Sequence, residues 1–291
     1  MQYFQQRLIV TGGTGFLGSC FIRHALKKGH VIHALKRSSC SKIPEGTERA
    51  SWFEASLKEP QIQPNWEART LVHFAAHGVD AAQANWVDCF RVNVTESLLC
   101  WASAAAAGVS RFIICGSCFE YGKSGERYEY IPIDAPLEPT GPYAASKAAA
   151  TMAAIAFGHD YKVEVAILRP AHVFGLGEGP GKFWPTLREA ALSGRDFPMT
   201  KGEQVRDFVP VEAAAERFLQ IANNPIRYMP PSLLNIGSGN PQTLREFAEH
   251  WWKVWNASGK LLVGAVPYRK NEVMRYVLQD TGVLPSEDCN A

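Results

Sequence analysis

The apolar run Arg7-Leu-Ile-Val-Thr11 leads straight into Gly12-Gly-Thr-Gly-Phe-Leu-Gly18, and a helical stretch follows over residues 15–28. Glycines at 12, 15 and 18 allow a tight strand-to-helix turn. Such a turn brings the backbone N–H groups of Gly15, Phe16, Leu17 and Gly18 to the positive end of a helix, where a pyrophosphate is favoured. Glycine turns are common on their own. The strand before this one and the helix after it are what point to a dinucleotide.

The rest of the first 170 residues repeats the strand–helix theme. Apolar runs at Val31–Lys36, Trp52–Glu54, Thr70–Ala75, Arg111–Cys115 and Val163–Leu168 read as further strands. Helical stretches fit between them, notably Asn93–Ala107 and Tyr143–Gly158. This alternation predicts an α/β fold, a doubly wound parallel sheet covered on both faces. After about residue 174 glycine and proline cluster, a helix fits Pro185–Ser193, and Thr243-Leu-Arg-Glu246 has the capping-box spelling of a helix running through Trp255. Trp251, Trp252 and Trp255 suit a core or an interface better than a ligand. The expected division is a dinucleotide-binding domain over 1–173 and about 205–237, with a smaller α/β domain from about 174–204 and 238–291.

Charge and cysteine content narrow the partners. Thirty Lys+Arg less 28 Asp+Glu leaves +2, which gives no electrostatic case for nucleic acid or a membrane surface. No run approaches the roughly 18 apolar residues of a membrane span, and the first residues do not read as a signal peptide. Seven cysteines along a long chain do not make a secreted disulfide framework, so a cytoplasmic protein with reduced thiols is expected. Cys115-Gly-Ser-Cys118 has the CxxC spelling, but it ends an apolar run and fits plain burial better than redox chemistry. His73 and His77 straddle a strand end without the helical HExxH arrangement, and no metal is expected. Two Ala-rich helices, around 98–107 and 144–156, suit either a dimer seam or close burial.

The end of the second strand is where an adenosine ribose is read. An acidic residue there takes the 2′-hydroxyl of NAD. This chain has Lys36-Arg37-Ser38 instead, and two cations beside hydroxyls suit a 2′-phosphate. NADP(H) is therefore expected, with NAD as the alternative.

Tyr143 and Lys147 are four apart on an expected helix, hence on one face. A phenol with an ordinary pKa near 10 is a poor proton-transfer group at neutral pH, and a nearby ammonium lowers that value. This YxxxK spelling occurs once in the chain, after a proline-rich loop and 26 residues beyond Ser117, which ends the fifth expected strand.

With TGGTGFLG (11–18), LVHFAA (71–76), RVNVTESLL (91–99), GSCFEYG (116–122), PYAASK (142–147), LRPAHVFG (168–175), VRDFVPV (205–211), LNIGSGNPQTL (234–244) and PYRKNEV (267–273) in this order, the chain resembles the extended short-chain dehydrogenase/reductases, the family of nucleotide-sugar epimerases, dehydratases and reductases. The resemblance implies that Ser117 hydrogen-bonds the substrate oxygen and that Tyr143 is the acid/base. It implies that Lys147 lowers the Tyr143 pKa and holds the nicotinamide ribose. Phe74, Ala75, Ala76, Asn93 and Pro170 would line the cofactor, and Ser56 and Leu57 its adenine. Arg206 and Arg269 fall where guanidinium groups clamp a diphosphate. His172 stands where the family usually has asparagine, either touching sugar or simply packing. Lys182 and Phe183 would border the nucleotide-sugar, and a homodimer is the family expectation.

Within that family, 4,6-dehydratases resemble one another in placing Asp and Glu three and two residues before the position of Tyr121. Cys118 and Phe119 stand there, so dehydration is not expected. The dual epimerase-reductases use a cysteine where Phe119 is and a histidine where Lys182 aligns. What remains is hydride chemistry at one carbon. The expectation is NADPH-dependent reduction of the 4-keto group of a nucleoside-diphosphate 4-keto-6-deoxyhexose. The alternatives are an NAD-dependent 4-epimerase and a non-catalytic NADP(H)-binding regulator.

Overall fold

The structure, a computed structural model, describes residues 5–223, 232–269 and 272–282. Its centre is a seven-stranded, wholly parallel sheet. The strands are β1 (Arg7–Thr11), β2 (Val31–Lys36), β3 (Ser51–Glu54), β4 (Thr70–His73), β5 (Arg111–Cys115), β6 (Glu164–Pro170) and, after three short strands described below, β10 (Ser232–Ile236). Their order is β3-β2-β1-β4-β5-β6-β10. The order reverses beside β1, and in open α/β sheets that switch point is where ligands bind, outside the carboxyl ends of the strands.

Alternation along β1 explains the two-sided burial. Leu8 and Val10 face one core with α1 (Phe16–Lys27) and α6 (Val211–Asn223). Ile9 faces the other, with Trp101 and Ala104 of α3 (Ser97–Ala106) and Ala154 and Phe157 of α4 (Pro142–Tyr161). The amphipathic α6 packs on α1 and has no counterpart among the sequence expectations.

The expected helix at 93–107 starts earlier. Asn85 caps α2 (Trp86–Phe90) by accepting from the Asp88 amide at 2.8 Å, and a π-helical turn at Arg91–Glu96 joins it to α3. Such a turn carries one extra residue and commonly marks a functional site. Here it contains Asn93.

The short strands β7 (His172–Phe174), β9 (Val205–Pro210), β11 (Pro241–Thr243) and β13 (Arg275–Tyr276) form a second sheet around β9. β8 (Phe197–Met199) pairs with β12 (Leu261–Val263). A small third core joins Leu187 and Ala190 of α5 (Phe183–Leu192), Phe197, Met199 and Ala248 of α7 (Leu244–Val254). Trp251, Trp252 and Trp255 pack against it, as a core reading of those residues requires. The capping box at Thr243 and Glu246 is formed in both directions. Among the described residues, no helix is long and apolar enough to cross a membrane.

Candidate active site

The turn after β1 is built for close approach. Gly12 has φ +68, and a Cβ there would lie 2.5 Å from the Ala75 amide nitrogen and 2.6 Å from the Phe74 carbonyl carbon. A Cβ on Gly18 would lie 2.3 Å from the Gly12 oxygen. Gly15 donates its N–H to Gly12 O at 3.0 Å and stands at the N-cap of α1 with no side-chain cap. The amides of Phe16, Leu17 and Gly18 therefore have no intrahelical acceptor. A cradle that any side chain would fill, faced by free amides and by the end of β4, fits a dinucleotide pyrophosphate.

The other expected cofactor residues lie along the carboxyl ends of the same strands. Lys36 Nζ donates to the Ser39 carbonyl at 3.1 Å, Arg37 is exposed, and Ser38 Oγ accepts from the Cys40 amide at 3.1 Å. The β2–β3 register sets Glu54 beside Lys36, a carboxylate that reading along the chain does not associate with this spot. Ser56 is exposed and accepts from the Glu59 amide at 3.0 Å, and Leu57 packs on the second core. Phe74 packs against Phe21 and Phe218. Ala75 and Ala76 are half-buried and Pro170 is buried at the end of β6. Asn93 is a buried bridge. Its Oδ1 accepts from the His77 amide at 2.7 Å, and its Nδ2 donates to His77 O at 3.0 Å and to Ser146 Oγ at 2.8 Å. Asn93 thereby ties the loop after β4 to the helix carrying Tyr143.

Ser117, Tyr143 and Lys147 come together. Ser117 caps a 3₁₀ turn over Cys118–Tyr121, accepting from the Phe119 amide at 3.3 Å, and its hydroxyl is hydrogen-bonded to Tyr143. Lys147, 4% exposed, donates its Nζ to the Cys115 carbonyl at 2.5 Å. Pro142 at the first position and Gly141 at the N-cap start α4 so that Tyr143 lies in its first turn. One expectation changes. Burial pushes the Tyr143 phenol well above its ordinary range, Cys115 adds to this, and the Ser117 bond only partly opposes it. Burial, and not the Lys147 ammonium, sets the direction of that shift, so the lowering expected from Lys147 is not the dominant influence.

His73 is buried and His172 half-buried. The His73 ring nitrogens meet Thr11 Oγ1 at 2.9 Å and Ser97 Oγ at 3.1 Å. The His172 ring lies among Phe119, Phe208 and Tyr276 with Nδ1 unpartnered. Burial pushes both imidazoles down to about 3, with help from Lys147 and Arg206 respectively. Both are neutral when folded, whereas the unfolded chain takes up protons near 6.5. The unfolded state then binds more protons below that pH, so stability is complete above about 6.5 and lost as pH falls toward 3. Thermal unfolding from pH 8 to 4 should show a plateau, then a falling Tm below about 6.5. His172→Phe should lessen the fall, and an unchanged slope would refute its share.

The expected substrate residues are less tightly gathered. Arg206 is buried and ion-paired with Glu272 at 2.9 Å. It also donates to the Val273 carbonyl at 2.7 Å and lies over the Tyr276 ring. Lys182 donates to the Val79 carbonyl at 2.6 Å, and Phe183 packs edge-on to Phe197. Arg269 is exposed, and its neighbours Lys270 and Asn271 lie outside the described residues. Six cysteines are free, and Cys289 lies outside the described residues. Burial raises the Cys115 thiol to about 11 and the Cys118 thiol to about 12, unlike a reactive CxxC pair. Among the described residues no group of three or more His, Cys, Asp or Glu could hold a metal ion.

Sequence reasoning missed Glu120 and Arg169, a fully buried ion pair at 2.8 Å directly behind Ser117. Two charged residues inside otherwise apolar, buried stretches were the available signal.

Known proteins resemble this chain in sequence and in fold. The UDP-glucose 4-epimerase of Neisseria meningitidis serogroup C is 27% identical over 272 residues, covering 83% of this chain and 80% of that one. The human dTDP-D-glucose 4,6-dehydratase is 26% identical over 265 residues, covering 84% and 73%. The fold matches a Thermotoga maritima UDP-glucose 4-epimerase solved with UDP-glucose, at a TM-score of 0.83 and 22% identity over 95% of this chain and 90% of that one. A Streptomyces venezuelae dTDP-glucose 4,6-dehydratase with NAD bound gives 0.81 at 25% identity, over 94% and 88%. The sequence profile of one family matches residues 8–237, from the first strand through β10. With its glycine turn and its Ser–Tyr–Lys set in place, the chain belongs to the NAD dependent epimerase/dehydratase family.

Proposed function

We propose that this protein reduces the 4-keto group of a nucleoside-diphosphate 4-keto-6-deoxyhexose with NADP(H). The observation that carries the reading is the pair Lys36 and Arg37 at the end of β2, with Arg37 exposed beside Ser38, where a 2′-phosphate would find charge-assisted donors. The Ser117-bound Tyr143 is the acid that would complete the reduction.

The glycines at 12, 15 and 18 and the Phe16 and Leu17 amides hold the pyrophosphate. Lys36, Arg37 and Ser38 take the ribose phosphate, and Ser56 and Leu57 border the adenine. Phe74, Ala75, Ala76, Asn93 and Pro170 enclose the nicotinamide side. A bound nicotinamide supplies the hydride. Tyr143 gives its proton to the oxygen developing at C4, Ser117 hydrogen-bonds that oxygen, and Lys147 holds the ribose and restores positive charge beside the phenol. Arg206, Arg269, Lys182 and Phe183 receive the nucleoside diphosphate, and residues 174–204, 238–269 and 272–282 supply most of that side of the site. Phe119, His172 and Tyr276 offer ring surfaces beside Ser117, which suits a sugar without a hydroxyl at C6. Dehydration is disfavoured because Phe119 carries no acid and the Cys118 thiol is pushed to about 12. Exposed Trp86, Val87, Leu99 and Met152 on α2–α4 offer a seam for a homodimer.

One observation favours a second reading, a 4-epimerase that keeps NAD. Glu54 lies beside Lys36 at the end of the sheet, where a carboxylate can take a 2′-hydroxyl. The experiment that separates the two is to strip the protein of nucleotide, identify what is released, and titrate NADPH and NADH by fluorescence. Tight NADPH binding, weak NADH binding and NADPH oxidation with a 4-keto-6-deoxy sugar nucleotide are expected. Stoichiometric NAD carried through purification would replace the reductase by the epimerase. Lys36→Ala combined with Arg37→Ala should weaken NADPH by about 10–100-fold and NADH by less than about 3-fold, the effect of losing charge-assisted bonds to one phosphate. Equal loss for both cofactors would refute the 2′-phosphate role.

A further inference from the structure

We propose that Glu120 is a positioning residue that sets the distance between Ser117 and Tyr143, a role that rests on the Ser–Tyr–Lys reading above. One buried carboxylate holds two separate elements. Its Oε1 accepts from the Ser117 backbone amide at 2.8 Å, and its Oε2 accepts from Thr151 Oγ1 at 2.8 Å. Thr151 follows Tyr143 and Lys147 at intervals of four on α4, so all three share one face of that helix. The carboxylate therefore clamps the strand end that carries Ser117 to the helix face that carries Tyr143 and Lys147.

A third bond fixes the clamp from behind. Arg169 Nε donates to Glu120 Oε2 at 2.8 Å, and Arg169 Nη1 donates to the Tyr121 hydroxyl at 3.0 Å and the Ile133 carbonyl at 3.3 Å. The Tyr121 hydroxyl donates to Asn235 Oδ1 at 2.8 Å. The chain has to pass close to this pair, since a Cβ on Gly116 would lie 2.8 Å from Glu120 Oε1 and 2.9 Å from Arg169 Cγ. Buried ion pairs are poor sources of net stability, because desolvation offsets their attraction. A pair whose acceptors and donors are all directed, as here, specifies geometry instead. Glu120 is fully buried with both carboxylate oxygens engaged by protein groups, and it acts through Ser117.

The test is a double-mutant cycle with Ser117→Ala, in which non-additivity isolates the route of action. In the wild-type background Glu120→Gln should lower kcat by about 10–100-fold and leave KM within about 3-fold, since one misplaced hydrogen bond to developing charge has this order of effect. In the S117A background the same substitution should change kcat by less than about 3-fold. The full loss persisting in S117A would overturn the proposal.

Thr151→Val keeps the ion pair and releases one arm of the clamp. It should show a smaller loss with the same non-additivity, and it decides the question if E120Q does not fold. Hydrogen exchange over residues 116–122 needs no substrate. It should quicken in both variants while the Tm stays above the assay temperature, and unchanged exchange would also overturn the clamp. If the wild type turns over no nucleotide-sugar, the activity assignment fails and the exchange measurement still decides the role of Glu120.

Discussion

Tyr143→Phe should lower kcat by about 10²–10⁴-fold, the range for removing a positioned general acid. The affinity for NADPH should stay within a few fold, because the phenol hydroxyl is directed to Ser117 and not to the glycine turn. Phenylalanine keeps the ring in its half-buried place at the start of α4, so the fold should hold. A steady-state assay with fluorescence titration of the cofactor separates the two effects. Retained activity would remove Tyr143 from the chemistry, and joint loss of activity and binding would make it a structural residue. The raised phenol predicts one more feature. The rate of the reductive direction should stay flat through about pH 10, where a phenol at its ordinary value would already be half ionised, because burial raises the Tyr143 pKa. A fall in that window would show that the bound cofactor reverses the effect of burial.

Gly12→Ala should be strongly damaging to both stability and cofactor binding. The residue has φ +68, and its new methyl would sit 2.5 Å from a backbone nitrogen and 2.6 Å from a carbonyl carbon that cannot move away alone. Left-handed backbone costs a non-glycine residue about 1–2 kcal/mol, and overpacking adds about 1–3 kcal/mol. At about 2–4 °C per kcal/mol the Tm should fall by roughly 5–15 °C, with at least a tenfold loss of dinucleotide affinity. Gly29→Ala is the control. Its φ is +84, but nothing lies within 4 Å of the added carbon, so only the backbone cost applies. Equal destabilisation by the two would mean that the close approach to Phe74 and Ala75 contributes nothing.

Much of this was legible in the sequence for a local reason. Buried parallel strands are short continuous apolar runs, and β1, β2, β5 and most of β6 appear as such. The glycine turn and the Tyr143/Lys147 spacing are also local, as one turn of chain or helix contains each. Where local signals ended, the reading slipped. The helix expected from Asn93 begins at Trp86 and contains a π turn, because Asn93 has to reach both the loop after β4 and Ser146 of α4. α6 is absent from the sequence expectations although Val211-Glu-Ala-Ala-Ala-Glu-Arg-Phe-Leu has plain helical periodicity.

The sequence by itself determined the class of fold, the glycine turn and the Ser117, Tyr143 and Lys147 set, each a matter of period, turn chemistry or short spacing. Tertiary structure alone decided what surrounds them. It desolvated the half-buried Tyr143 phenol beside Ser117 and Cys115 and so reversed the expected direction of its pKa. It set Glu54 beside Lys36 through strand register, and it joined Glu120, Thr151 and Arg169 behind Ser117. Burial, register and long-range hydrogen bonds depend on which segments meet in space, and no window along the chain contains that information.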